Sequence, residues 1–325
     1  MNENMIVDRN LALEAVRVTE AAAIAASRMM GCGDERLADM AALEAMQRSL
    51  NRLDVDGTIR IGDGFSGESP AMHSGSRVGT GKGPKVDVAL VPIEGKSIVA
   101  RGGANALSVV AMAEDGGFLV VPDIYMDKIA VGPGLPEGIV DLDNAPDVNI
   151  TSLAKAKGIA VEELIVCLLD RPRHTKLVTK IRETGAKLRL IQDGDVSGVL
   201  ATSWPDGDID VYMGIGGAQQ GVLAAAALRG LGGQMQTRLV TRNSDDRAAI
   251  QNIGIEDPDR KYNVMEMASG IVTFAATGVT YGALLGGVKR QRGHIITESV
   301  VLRSMSGTIR FIKGLHNLDH LNGRT

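Results

Sequence analysis

The sequence predicts an α/β protein, and three observations carry that prediction. Over residues 165–230, short β-branched and aliphatic runs alternate with helical segments, the rhythm of a βαβαβ unit. Several runs end in glycine turns, where α/β proteins often place their chemistry. The composition agrees: 325 residues are 44% hydrophobic but only 3% aromatic, with 40 glycines, so an aliphatic core and tight turns are expected.

Residues 11–30 carry an apolar stripe (Leu13, Val16, Val18, Ala22, Ile24, Met29) and stop at Gly31-Cys32-Gly33, the pattern of an amphipathic helix with a glycine end. A second helix is expected over 35–53, with Leu37, Met40, Leu43, Met46 and Leu50 at helical spacing. Asp39 falls in its first turns, either as a solvated, dipole-favoured acid or as a functional one. Residues 58–61 read as a short strand entering Gly62-Asp63-Gly64. A polar segment at 65–85 leads to a buried strand with Val86, Val88, Leu90 and Ile93. Pro92 is expected to end its ladder, having no N–H to donate. Glu94 and Lys96 then project into a glycine turn. Residues 106–113, 117–121 and 128–131 read as strands of a meander. The Pro-, Gly- and Asp-rich stretch 132–149 is expected to separate an N-terminal α+β domain, 1–148, from a C-terminal α/β domain, 149–325.

In the second half, strands at 165–169, 188–191 and 209–213 alternate with helices at 173–184, 196–201 and 218–230, which predicts a parallel sheet. The polar stretch 237–270 reads as a surface excursion, and 271–276, 293–303 and 308–312 as closing strands. Three strand ends carry candidate chemistry. Arg171-Pro172-Arg173-His174 suits a phosphate, which Arg clamps in a bidentate way. Asp193 and Asp195 either accept hydrogen bonds from sugar hydroxyls or cap the following helix. Gly214-Ile215-Gly216-Gly217-Ala218 offers backbone N–H groups to an anion, or serves packing alone. It is neither a dinucleotide fingerprint nor a Walker A loop. In a parallel sheet these three ends share one edge.

The net charge of −4 argues against nucleic acid as the main partner. No apolar run reaches the roughly 18 residues a membrane span needs, and no basic region followed by an apolar segment opens the chain. A cytoplasmic protein without a membrane partner is expected. Cys32 and Cys167 lack metal-ligand spacing and read as reduced, inert thiols.

A series of ordered motifs adds a family. Arg17-Val18-Thr19-Glu20, Ile61-Gly62-Asp63-Gly64, Pro92-Ile93-Glu94-Gly95, Pro122-Asp123-Ile124-Tyr125-Met126, Arg171-Pro172-Arg173-His174, Asp193-Gly194-Asp195-Val196, Gly214-Ile215-Gly216-Gly217-Ala218 and Ala276-Thr277-Gly278-Val279-Thr280 lie in this order. With them the chain resembles, over almost its full length, the class II fructose-1,6-bisphosphatases, including the bifunctional fructose/sedoheptulose bisphosphatases. The resemblance implies the αβαβα layered sandwich of the lithium-sensitive sugar-phosphatase superfamily and a homodimer or homotetramer. It implies hydrolysis of the 1-phosphate of a sugar bisphosphate with Mg²⁺ or Mn²⁺. On the substrate side it assigns Tyr125, Arg171, Arg173, Asp193, Asp195, Gly216, Gly217 and Ala218.

The departures from the family lie at its metal positions. The family's Asp-Pro-hydrophobic-Glu-Gly-Thr begins here with Val91 and ends with Lys96. Its Ile-Gly-Glu-Gly carries Asp63 for the Glu, an acid four residues on is Gly67, and the Glu of a later Gly-Gly-Ala-Pro-Glu-Gly is Gln220. Asp39, Asp63 and Glu94 are then the carboxylates left for a metal, which they would hold weakly. In a phosphatase reaction Glu94 and Asp39 are expected to position or deprotonate water, while Lys96 and the amides of 216–218 hold the phosphate. Two further expectations stand beside it: acid/base or Schiff-base chemistry by Lys96 with Glu94, and sugar-phosphate binding without catalysis.

Overall fold

The computed structural model describes residues 3–63 and 72–318. Gly64 and Gly67 lie outside the described residues. Contacts divide the chain into two compact units, Met1–Phe118 with Gly270–Thr325, and Leu119–Ser269.

The first unit opens with helices α1 (Glu3–Ser27) and α2 (Glu35–Leu50). Asp34 caps α2 by accepting the Leu37 N–H at 3.0 Å. Strands β1 (Asp56–Ile61), β2 (Arg77–Val78) and β3 (Lys85–Glu94), the six-residue helix α3 (Lys96–Arg101) and strand β4 (Leu107–Glu114) follow. Pro92 does not end β3. The strand runs on to Glu94, and its register against β4 shifts between Val91 and Glu94, a bulge that tolerates a residue without an N–H. Residues 117–121 form no strand.

The second unit contains β5 (Tyr125–Val131), α4 (Pro146–Lys157), β6 (Ile165–Leu169), α5 (Thr175–Glu183), β7 (Lys187–Ile191), α6 (Asp195–Ala201), β8 (Val211–Gly217) and α7 (Ala218–Leu231). It closes with β9 (Gln234–Val240), α8 (Ser244–Asn252), β10 (Lys261–Asn263) and α9 (Val264–Met267). The sheet order is β10-β9-β5-β8-β6-β7. Strands β7, β6 and β8 are parallel, as the βαβαβ rhythm predicts, while β5 runs antiparallel to both β8 and β9. Ile129, Val131, Ile150, Leu153, Val166, Leu168, Ile181 and Val211 form its aliphatic core.

This topology corrects three expectations. The meander does not form, because β4 and β5 belong to different sheets. The border expected at 148–149 falls inside the second unit, because β5 is held between β8 and β9. Residues 237–270 are no excursion: β9 pairs along all of β5, with residues alternately buried and half-exposed. A half-buried strand keeps every second residue polar, which is why its composition reads as surface.

The chain then returns to the first unit with β11 (Val272–Gly278), β12 (Lys289–Gln291), β13 (His294–Arg303) and β14 (Thr308–Asn317). Its sheet runs β12-β13-β11-β4-β3-β1-β2, with β14 paired to β13. Small residues on α1 (Ala15, Ala22, Ala26) let the helix lie close against Val88, Leu90, Val110 and Ala275. Two of the matched motifs serve this packing. Thr19 and Thr277 share a buried hydroxyl–hydroxyl bond of 2.7 Å, and Thr277 meets Ser299 at 2.8 Å. Glu20 accepts from Thr297 at 2.8 Å, and Thr280 accepts the Ala106 N–H at 3.0 Å. Polar groups buried between helix and sheet are thereby satisfied.

Candidate functional site

Two side-chain clusters gather the residues singled out from sequence, one in each unit. In the second, the strand register places the parts. The C-terminal ends of parallel β6, β7 and β8 lead to Arg171, Asp193 and Gly217. Tyr125, the first residue of antiparallel β5, pairs with Gly217 on one side and with Val240 on the other. The same sheet edge therefore collects the Arg171–Arg173 turn, Asp193, the end of β8, Tyr125 and, two residues past Val240, Arg242.

The cationic groups converge on Tyr125. The Arg173 guanidinium lies 4.6 Å from the ring centroid and that of Arg242 lies 4.5 Å away. Arg173 donates through Nε and Nη2 to the Ile215 carbonyl at 3.0 and 2.8 Å, which fixes its direction. Arg242 is held by a two-toothed pair with buried Asp246, at 2.8 and 3.0 Å, and Asp246 sits in the first turn of α8. Arg171 is half-buried and donates to the Asp170 carbonyl. Arg242 lies in the stretch 237–270 whose polar composition reads as a surface excursion, so the sequence alone gives it no role. The pairing of β9 with β5 that brings it beside Tyr125 has no local signal in the sequence.

His174 does not join the phosphate clamp expected of its motif. It is buried, its Nδ1 bonds the Leu169 carbonyl at 2.7 Å and its Nε2 accepts the Ile215 N–H at 2.8 Å. A ring that donates through Nδ1 and accepts through Nε2 is neutral. Burial pushes its pKa below the ordinary value, against the pull of the Leu169 carbonyl. The histidine thus pins the arginine turn to β8.

The residues of 214–217 are not a turn either. Gly214, Gly216 and Gly217 belong to β8 itself, and α7 starts directly at Ala218. A Cβ on Gly216 would lie 2.0 Å from Asp195 Oδ2 and 2.8 Å from Lys128 Nζ, so only glycine fits there. Asp195, at the start of α6, is 6% exposed. Lys128 Nζ donates to Asp195 Oδ2 at 2.5 Å and to the Gly217 carbonyl at 2.9 Å, and the Tyr212 hydroxyl donates to Asp195 Oδ1. Both carboxylate oxygens are therefore engaged within the protein. Asp193 is half-buried and accepts the Gly194 N–H at 3.1 Å. Gln220 turns back so that its Oε1 covers Gly217. Cys167 is buried, which pushes its thiol up to about 12 and keeps it protonated, while Cys32 is exposed.

In the first unit, three elements meet around one ammonium group. Asp39 comes from α2, Asp63 follows the end of β1, and Lys96 opens α3 behind Gly95, whose φ of 97° favours glycine. Lys96 Nζ donates to Asp39 Oδ2 at 2.8 Å and to Asp63 Oδ2 at 2.7 Å. Two carboxylates against one ammonium leave the cluster negative by one unit. Burial and then Asp63 push the Asp39 pKa up, more than Lys96 pulls it down. Burial opposes the charge on Lys96, yet Asp63 and Asp39 together raise its pKa. Asp39 Oδ1 is buried without a hydrogen-bond partner. Glu94, 4% exposed, ends β3, and Val91 is buried within that strand.

The fold and these clusters define an α/β protein with two sheets, in which one sheet edge presents arginines and a tyrosine and a separate acid pair grips a lysine. The sequence matches the model for "Bacterial fructose-1,6-bisphosphatase, glpX-encoded" over residues 9–316. It is 42% identical over 325 residues to "Fructose-1,6-bisphosphatase 1 class 2" of Escherichia coli (strain K12), covering 96% of each chain. Identity and coverage are the same for "Fructose-1,6-bisphosphatase class 2" of Shigella flexneri. The chain belongs to this bacterial fructose-1,6-bisphosphatase family, and the named relatives are phosphoric monoester hydrolases.

The divalent metal implied by the resemblance meets a poor donor set here. Mg²⁺ and Mn²⁺ take oxygen ligands, about six for Mg²⁺. The two converging carboxylates already share an ammonium, and Val91, where the resemblance implies a further carboxylate, is buried and apolar. Among the described residues no group of three or more His, Cys, Asp or Glu is arranged to hold a metal ion. A divalent ion does not fit while Lys96 is in place. Among the described residues no helix is long and apolar enough to cross a membrane.

Proposed function

We propose that this chain binds a sugar bisphosphate of the fructose 1,6-bisphosphate kind and acts on it as a phosphomonoesterase. The observation that supports this best is the sheet edge on which Arg173 and Arg242 flank Tyr125, with Arg171 following the end of β6. A phosphate dianion needs charge-assisted donors, and guanidinium forks match its oxygens two at a time. Tyr125 offers an apolar face and a hydroxyl to the sugar, and Asp193 accepts from its hydroxyl groups. Asp195, Gly216, Gly217 and Ala218 are proposed to border the sugar phosphate, with Lys128 holding Asp195 and the Gly217 carbonyl in place. Glu94 is the proposed base for water.

Lys96 favours a second reading, in which the sugar phosphate binds with little or no turnover. An ammonium can balance charge but does not lower the pKa of a bound water as a metal does. Two of its three N–H groups are already given to Asp39 and Asp63, so it has little left for a phosphate. The Schiff-base alternative is weakened by the same contacts, because a nucleophilic amine must be deprotonated and these acids hold Lys96 charged. Assembly as a homodimer or homotetramer is proposed with it. On β14, Phe311 and Leu315 are 56% and 67% exposed, and a second copy would cover them.

Calorimetry with fructose 1,6-bisphosphate, run beside phosphate-release assays with and without Mg²⁺ or Mn²⁺, tests both readings. Binding that is the same with and without metal is expected, with phosphate release that added metal does not stimulate. Absence of binding would sink the sugar-phosphate assignment. Strong metal-dependent release would sink the role given to Lys96.

A further inference from the structure

The Asp39–Lys96–Asp63 cluster has the form of a cation site whose cation is a side chain. Two carboxylates from separate elements present one oxygen each to the same atom, at 2.8 and 2.7 Å. Their side chains are 22% and 25% exposed, enough removed from water for mutual repulsion to matter. An ordinary surface bridge would join one acid to one base and leave both well solvated. Here one base serves two acids, and the second oxygen of Asp39 stays buried with no partner.

We propose that Lys96 is a tethered counter-cation that keeps divalent metal out, and that its removal alone, with no carboxylate added, turns Asp39 and Asp63 into a binding site for Mn²⁺ or Mg²⁺. The sizes allow it. Metal–oxygen distances of about 2.0–2.2 Å for these ions would need each carboxylate to close in by roughly 0.6 Å, within the reach of two partly exposed side chains. The charge favours it, because a divalent ion carries the charge of both acids, whereas the ammonium carries half of it. The inference rests on this cluster and not on sugar-phosphate binding, so either can fail without the other.

The test titrates Mn²⁺ into the full-length wild type, Lys96→Met, Lys96→Thr and Lys96→Arg. Bound metal is read by electron paramagnetic resonance and calorimetry, and thermal midpoints are compared in EDTA and in 1 mM Mn²⁺. The wild type and Lys96→Arg should bind no Mn²⁺ at that concentration and keep their midpoints. Lys96→Met and Lys96→Thr should bind about one ion at least tenfold more tightly than wild type and gain several degrees with Mn²⁺. Adding Asp39→Asn to Lys96→Met should remove the bound ion. Variants that fold only when Mn²⁺ is present would support the proposal in stronger form. It is overturned if the wild type binds Mn²⁺ as tightly as the variants. It is equally overturned if both variants bind none, or if neither folds even with Mn²⁺ while Lys96→Arg does.

Discussion

Replacing Lys128 with Met should destabilise the second unit strongly, while replacing Asp195 together with it should restore much of the loss. The Lys128 side chain is fully buried and that of Asp195 is 7% exposed, so the pair is screened from water. Removing one partner leaves a buried charge uncompensated, at a cost of about 3–5 kcal/mol. In Lys128→Met that charge is Asp195, which keeps only the Tyr212 hydroxyl, and the Gly217 carbonyl also loses its donor. In Lys128→Met/Asp195→Asn no charge is left, and the amide oxygen can still accept from Tyr212. The remaining cost is that of one or two poorly satisfied polar groups, about 1–3 kcal/mol. For a unit of 151 residues, counting Leu119 to Ser269 inclusive, the single change corresponds to a fall of roughly 6–20 °C in midpoint. Urea and thermal unfolding of the wild type, the single variant and the double variant give the comparison. A single variant within 1 kcal/mol of wild type, or a double variant as unstable as the single, would refute the account of Asp195 as a charge held by Lys128.

The arginines and the histidine give two further expectations. Arg173→Ala and Arg242→Ala should each weaken fructose 1,6-bisphosphate binding by about 1.5–3 kcal/mol, the scale of one charged hydrogen bond and roughly ten- to hundredfold in Kd. Calorimetry decides it, and unchanged affinity in both would place the phosphate elsewhere. His174 is held neutral with a folded pKa below the ordinary 6.5. The unfolded chain therefore binds a proton first as pH falls, so the contribution of His174 is complete above 6.5 and is lost progressively below it. Thermal midpoints from pH 7.5 to 5 should fall more steeply for the wild type than for His174→Gln. Equal slopes, or an NMR titration of His174 at 6.5 or above, would contradict the buried neutral ring.

Much of the second unit was legible along the chain because its information is local. The strands and helices of 165–231 show in hydrophobic period and glycine placement, and parallel strands must bring their ends to one edge. Arg171, Arg173 and Asp193 could be placed on that edge from spacing alone. Short-range patterns do not say which distant strand pairs with which. The partners of β5 lie some 85 and 110 residues further on, in β8 and β9, so neither the interrupted first unit nor Arg242 beside Tyr125 could be read from local sequence. Pro92 and the glycines of β8 misled for a related reason. Each is a turn-former by local propensity, and the tertiary setting overrides it, with a bulge at Pro92 and the close approach of Asp195 and Lys128 at Gly216. The resemblance marks Lys96 as an expected departure from the family pattern, a question of which residue stands where. What that lysine touches was decided by α2, β1 and α3 meeting in space, which directs its ammonium to two carboxylates rather than leaving it free for a phosphate.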